Sequence, residues 1–364
     1  MTRARIIHGD ALEVLRTLPS ASVHLCVTSP PYIGQRDYDC EGQIGIEDSV
    51  DEWLEKLVAI FSEVKRVLHD TGTIWVNIGD GYNSAQSRGR YGDQSMKGCT
   101  DHGTKRSTTK GIHPKNLLGT PWKLAFALQE SGWIWRSNIP WIKSNPLPSN
   151  VTDRPANSHE AIMMFAKSSK YFFDEYKMRT EHRLDHWKIN TSPGYVDPDS
   201  AEDDHFAQFP IEVPRRCILL GTPDKGICDQ CGDMLVHVCM KGEYQDNGGK
   251  RKHADTPGAV KSPTSVLRTG TTYQYEDGGY WCPKCDEQDR YLDNGYRPTP
   301  AVILDPFSGT GTTGIAALRH GRDFIGIELK KSYVDMSAKR MSEESPLFNQ
   351  VDIENIASTV VPII

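Results

Sequence analysis

The stretch that most constrains this chain lies near its end, at 302–318: Val-Ile-Leu-Asp-Pro-Phe-Ser-Gly-Thr-Gly-Thr-Thr-Gly-Ile-Ala-Ala-Leu. Residues 302–304 read as a buried strand, Asp305 stands at its carboxyl end, and 314–318 continue as a helix. Between them, Gly309 and Gly311 permit backbone that a side chain would block. Thr312 or Thr313 is placed to cap the helix. Strand, glycine turn and helix in this order put a small ligand beside a helix N-terminus, at the strand ends of an α/β sheet. The next strand ends on Glu328, an acid placed to accept from ribose hydroxyls. The turn is neither G-x-G-x-x-G nor G-x-x-x-x-G-K-[ST], which disfavours a dinucleotide and a P-loop. A nucleoside-bearing ligand without a pyrophosphate remains, and S-adenosylmethionine fits that description.

The other end of the chain repeats the α/β theme. Residues 4–10 read as a short strand, 11–18 as a helix, 22–29 as a buried strand, 50–69 as an amphipathic helix and 73–80 as a third strand. Asp70 and Gly72 mark a turn between the last two. This order predicts a mostly parallel sheet with crossover helices on both faces. Helical spacing returns at 122–128, strand-like patterns follow at 132–144 and 159–168, and 171–174 reads as a short strand. Residues 211–222 look like a helix with Pro214 in its first turn.

One strand end is unusual. The apolar run 23–27 stops at Thr-Ser-Pro-Pro-Tyr, residues 28–32, where two prolines forbid helix and central strand alike. The prolines hold the Pro30 carbonyl rigidly beside the Ser29 hydroxyl, and Tyr32 offers an aromatic face.

Taken together, Thr-Ser-Pro-Pro-Tyr and Asp-Pro-Phe-Ser-Gly-Thr-Gly resemble the catalytic and cofactor motifs of the amino-methylating DNA methyltransferases. The catalytic motif there has the form (D/N/S)-P-P-(Y/F). Its position nearly a whole chain before the cofactor motif resembles the β group, in which the Rossmann-like fold is circularly permuted. The similarity covers about 1–80, 117–222 and 299–342. It implies a discontinuous catalytic domain, 1–222 and 298–343, and a tail at 344–364. It further implies that Ser29, Pro30, Pro31 and Tyr32 are catalytic. Asp10, Asp305, Phe307, Gly309, Gly311, Thr312 and Glu328 would bind S-adenosylmethionine, with His205 and Phe206 near its methionine part. Ser at the first motif position resembles the N4-cytosine enzymes, whereas Asp or Asn is usual for N6-adenine. The implied partner is double-stranded DNA with the target base flipped out, and a companion restriction endonuclease is part of the same expectation.

Two segments lie outside the resemblance. Residues 81–116 carry seven Lys or Arg between 84 and 116 and read either as a solvated insert or as a loop closing on a polyanion. Residues 223–297 contain Cys228-x-x-Cys231 and Cys282-x-x-Cys285, two zinc-knuckle patterns whose four thiolates would close a structural Zn²⁺ site. His237, Cys239 and His253 lie between the pairs as alternative ligands. This basic, aromatic module would either grip DNA or staple the crossover.

Composition narrows the classes. With 37% hydrophobic residues, no run of about 20 apolar residues and an early polar N-terminus, the sequence suggests a cytoplasmic protein without membrane contact. The net charge of −6 leaves any nucleic-acid contact to local basic faces. Adenine N6 is the nearest rival to cytosine N4. Methylation of RNA or of a protein glutamine follows, and a non-catalytic zinc-bearing nucleic-acid binder is the remote alternative.

Overall fold

The computed structural model describes residues 2–35, 37–38, 40–83, 111–146, 151–182, 184–191, 209–246, 271–285, 298–344 and 349–355. His205, Phe206, His253 and the core of the basic segment lie outside the described residues.

The N-terminal third folds as its apolar periodicity requires. Strand β1 (Thr2–His8) leads into helix α1 (Ala11–Thr17), whose first turn is capped by Asp10: its carboxylate accepts from Leu12 N and Glu13 N at 2.9 and 3.0 Å. Strand β2 (Val23–Thr28) is buried along its whole length, as a strand covered on both faces must be. Helix α2 (Val50–Val67), capped by Ser49, buries Trp53, Leu57, Ile60, Phe61 and Val64 along one stripe. Strand β3 (Leu68–Ile78) begins where α2 ends. The turn expected at Asp70–Gly72 is instead an irregular start of β3, where the β2–β3 register shifts between Val23 and Leu25.

Helix α3 (Thr120–Glu130), strands β4 (Ile134–Lys143) and β5 (His159–Ala166), the short helix α4 (Glu175–Thr180), strand β6 (Trp187–Ile189) and helix α5 (Glu212–Gly221) follow. Residues 171–174 are not the expected strand. Asp174 is buried and caps α4 by accepting from Lys177 N, which uses the segment as a helix entry. A two-stranded antiparallel ribbon, β7 (Val236–Asp246) and β8 (Thr271–Trp281), precedes the C-terminal unit. That unit comprises β9 (Val302–Asp305), α6 (Thr312–Arg319), β10 (Asp323–Glu328), α7 (Lys331–Glu344) and β11 (Asn349–Asn355).

The nine strands outside the ribbon form one sheet in the order β11-β1-β10-β9-β2-β3-β5-β4-β6. Among the described strands of this sheet, β5 alone runs antiparallel to its neighbours, β3 and β4. Residues of α1, α2 and α3 share one apolar cluster with the sheet, and those of α5, α6 and α7 share the other, so helices cover both faces. The chain's two ends interleave. β9 and β10 insert between β1 and β2, which makes β9 and β2 parallel neighbours. From that pair the chain leaves in opposite directions, β9 toward β10 and β2 toward β3. The crevice at the carboxyl ends of β9 and β2 is therefore a topological switch point, where α/β sheets bind ligands.

Candidate active site

A cavity of about 960 Å³ opens at that switch point. Its wall includes Asp10, residues 29–32, Asp305, residues 306–310, Thr312 and Glu328. The turn after β2 and the turn after β9, which the sequence separates by nearly the whole chain, thus face one space.

Asp305 joins the two turns. It is buried, accepts from the Thr28 hydroxyl at 2.6 Å and the Thr313 hydroxyl at 2.7 Å, and accepts from Phe307 N at 3.1 Å. Burial pushes its carboxyl up to about 6 despite those donors. Neither Thr312 nor Thr313 caps α6 with its side chain. The cap is Gly311 in a left-handed conformation (φ 81°), and Thr313 instead donates to Asp305. A Cβ on Gly311 would lie 2.5 Å from Met341 Cε and 2.9 Å from Ser337 Cβ, so α7 packs where a side chain would stand.

Glu328 is anchored by backbone. Gly309 N donates to its Oε2 and Lys330 N to its Oε1, each at 2.8 Å. Desolvation raises it to about 7. Gly9 N donates to the Glu328 carbonyl at 3.0 Å, which sets Asp10 and α1 against the same rim. Ser308 Oγ is buried and lacks a hydrogen-bond partner among the described residues, although it lines the cavity. Such an atom calls for a polar ligand.

The Ser29 turn is held from behind. The Trp53 indole N–H on α2 donates to the Pro31 carbonyl at 2.9 Å. Among the described residues the Pro30 carbonyl accepts no hydrogen bond. The rigid turn thus spends one carbonyl on its own anchoring and keeps the neighbouring one available.

Among the cavity residues that escaped the sequence reading are Asn77 at the end of β3, Lys143 at the end of β4 and Glu160 at the start of β5. Tyr32 OH donates to Glu160 Oε2 at 2.9 Å, and Lys143 Nζ pairs with Glu160 Oε1 at 2.6 Å. A signal existed, because Glu160 is the second residue of a strand whose next six residues are all buried.

The four paired cysteines converge elsewhere. The sulfurs of Cys228, Cys231, Cys282 and Cys285 all lie within 4.8 Å of one another, with Cys231–Cys282 at 3.4 Å and Cys228–Cys285 at 3.8 Å. A tetrahedron with Zn–S bonds of about 2.3 Å has edges of about 3.8 Å, so the donor set fits zinc. As bare thiols, Cys231 is raised first by burial, and Cys285 is pushed up to about 12, first by its sulfur contact with Cys231. A dication would reverse that. His237 lies apart, its Nδ1 3.2 Å from Asp174.

The knuckles sit at the far end of the sheet from the cavity. His24, at the start of β2, accepts from Val302 N at 3.0 Å and bonds the Gly232 backbone. Burial lowers it to about 4, so it stays neutral. Asp233 lies 4.0 Å from His69 and 3.4 Å from Lys284. The cluster therefore touches the amino-terminal ends of β2, β9 and β3.

Comparison with known proteins places this geometry. The family model described as DNA methylase, of the N6/N4 methyltransferases, matches residues 23–229 and 296–339. The chain belongs to that family. This N6/N4 methylase is similar to the type II methyltransferase M.Cfr9I of Citrobacter freundii, 37% identical over 348 residues, 94% of this chain and 88% of that protein. M.SmaI of Serratia marcescens is 34% identical over 346 residues, 93% and 90% of the two chains. Among solved structures, the fold matches the cytosine-N4-specific PvuII DNA methyltransferase with a TM-score of 0.55 at 16% identity, covering 96% of this chain and 94% of that one. It also matches a putative DNA modification methylase of Thermus thermophilus, solved in complex with S-adenosyl-L-methionine (TM-score 0.51, 20% identity, 97% and 98% covered). An amino-methylating DNA methylase on a permuted, mostly parallel sheet is thus the family and the fold. Among the described residues no helix is long and apolar enough to cross a membrane.

Proposed function

We propose that this N6/N4 methylase transfers a methyl group from S-adenosylmethionine to the N4 amine of cytosine in duplex DNA, within a type II restriction–modification pair. The observation that carries the reading is the shared cavity: the nucleoside-type turn at 305–312 and the Ser29 turn form two walls of one space.

In this reading Glu328 holds the ribose hydroxyls, Phe307 and Asp10 border the adenine, and the glycine turn lets the cofactor approach backbone. The cofactor supplies a methyl group already activated on a sulfonium. The exocyclic amine of cytosine is a weak nucleophile, because its lone pair is delocalised into the ring. Ser29 Oγ and the Pro30 carbonyl accept from its two N–H groups, which lets the nitrogen pyramidalise and recover its lone pair. Both acceptors are fixed beforehand, so little reorganisation is needed at reaction. The base must leave the duplex to reach this depth, and Tyr32 supplies a stacking face. His205 and Phe206 remain candidates for the methionine end, and the basic 81–116 segment for the DNA backbone.

Cytosine is favoured over adenine by Ser29, which stands where N6-adenine enzymes usually carry Asp or Asn. The test is to incubate unmethylated DNA with the protein and the cofactor, hydrolyse it and run mass spectrometry. N4-methylcytosine is the expected product. N6-methyladenine alone would overturn the base assignment, and no methylated base would overturn the function. The N6 product is the second reading, because the same two acceptors serve either amine.

A further inference from the structure

One of the two acceptors, Ser29, begins a chain of polar side chains along the cavity that amine recognition by itself does not use. Ser29 Oγ donates to Tyr32 OH at 3.4 Å, and Tyr32 OH donates to Glu160 Oε2 at 2.9 Å. Asn77 Nδ2 donates both to Tyr32 OH at 3.2 Å and to Glu160 Oε2 at 2.9 Å. Lys143 closes the far side of Glu160 at 2.6 Å. All five residues line the cavity.

The chemistry of the groups fixes the direction of this chain. An ionised carboxylate only accepts, so Asn77 must turn its NH₂ toward Glu160. The same NH₂ donates into the phenol oxygen of Tyr32, so the one phenolic proton has to point at Glu160. The phenol lone pairs then receive Asn77 and Ser29. With its own proton aimed at Tyr32, the Ser29 hydroxyl presents lone pairs to the cavity. Every donor in the series points from the reacting amine toward the carboxylate.

Methylation makes a proton that must go somewhere. The amine nitrogen attacks the methyl carbon, the N–C bond forms, and the S–C bond breaks with its electron pair staying on sulfur. The nitrogen is left cationic and must lose one N–H proton. We propose that Ser29, Tyr32 and Glu160 are the exit route of that proton, with Glu160 as final acceptor. The proposal rests on the reading of the site as an amine methyltransferase. Ser29 Oγ takes the amine proton as its hydroxyl proton passes to Tyr32, whose proton passes to Glu160 Oε2. One carboxylate becomes one carboxylic acid, and the cation becomes the neutral methylamine. Burial holds the Tyr32 phenol well above its ordinary range, so it relays the proton in concert and never rests as tyrosinate. Lys143, a quarter exposed, pairs with the other oxygen of Glu160 and links the carboxylate to solvent. Glu160 touches no reacting atom. It is a positioning residue that acts through Tyr32.

The test compares wild type, Glu160→Gln, Tyr32→Phe and the double variant. It reads single-turnover methyl transfer to unmethylated DNA, together with equilibrium affinities for S-adenosylmethionine and for that DNA. Each single variant is expected to slow transfer about 100-fold, the ordinary scale of proton-transfer assistance. The double variant is expected to be no slower than the slower single, and both affinities to stay within about threefold. Glu160→Gln transferring at the wild-type rate would overturn the relay. So would losses that multiply in the double variant, or a loss that lies wholly in the affinities. Tyr32→Phe keeps the ring and so separates the relay from packing if Glu160→Gln folds poorly. A wild-type protein that methylates no DNA would instead overturn the functional reading beneath it.

Discussion

The Thr28 hydroxyl donates to the Asp305 carboxylate across 2.6 Å, although the two residues stand 277 positions apart. Thr28 is the last residue of β2 and Asp305 the last of β9. The bond is therefore the stitch between the Ser29 turn and the cofactor turn. It is buried on both sides, where an unmet acceptor costs more than a met one gains.

Replacing Thr28 by Val keeps the shape and removes the donor. We expect a loss of about 1–3 kcal/mol in chemical denaturation. Cofactor affinity should also weaken as the Asp305 turn loosens. A variant as stable as wild type would show that the bond is incidental.

Acid titration gives a second outcome. Asp305 rises from 3.8 to about 6 and Glu328 from 4.5 to about 7 on folding. Both bind protons more tightly in the folded state, so their contribution to stability is greatest at low pH and declines between about pH 4 and 7. In the ligand-free protein, Asp305→Asn with Glu328→Gln should flatten that decline, read as denaturation midpoints across the range.

Glu328 also sets how cofactor binding depends on pH. A hydroxyl donor stabilises the carboxylate and not the acid. Affinity for S-adenosylmethionine in calorimetry should therefore fall as pH drops through about 7. Glu328→Gln should bind about tenfold more weakly at pH 8 and lose the dependence. An identical pH profile in that variant would remove Glu328 from the ribose role.

Trp53→Phe deletes the donor that clamps the Pro31 carbonyl. The Ser29 turn should lose register, with methyl transfer slowed about tenfold, since small misplacements are expensive at a reacting centre. Binding of the cofactor alone, on the opposite wall, should change little.

Zinc is testable without activity. Metal analysis should find one zinc per chain, and chelation or Cys282→Ser should lower the melting temperature by about 5 °C or more. The knuckles touch the amino-terminal strand ends, so the loss should appear as stability. A chain purified free of zinc, with a melting temperature indifferent to chelator, would sink the assignment.

The sequence by itself determined the elements and the chemistry-bearing turns. A continuous apolar run set β2 and period-3.6 spacing set α2, and the glycine turn before α6 and the double proline announced themselves because few backbones tolerate them. It also showed the cysteine pairs, whose short spacing is local. Tertiary structure decided what spacing cannot encode: that β9 inserts beside β2, so that Thr28 meets Asp305, and that β5 runs backward between β3 and β4, so that Glu160 reaches Tyr32. It also put the cysteines at the strand ends far from the cavity. These are contacts between residues distant along the chain. They follow from strand order and direction, which depend on how whole apolar faces pack and not on any local run of residues.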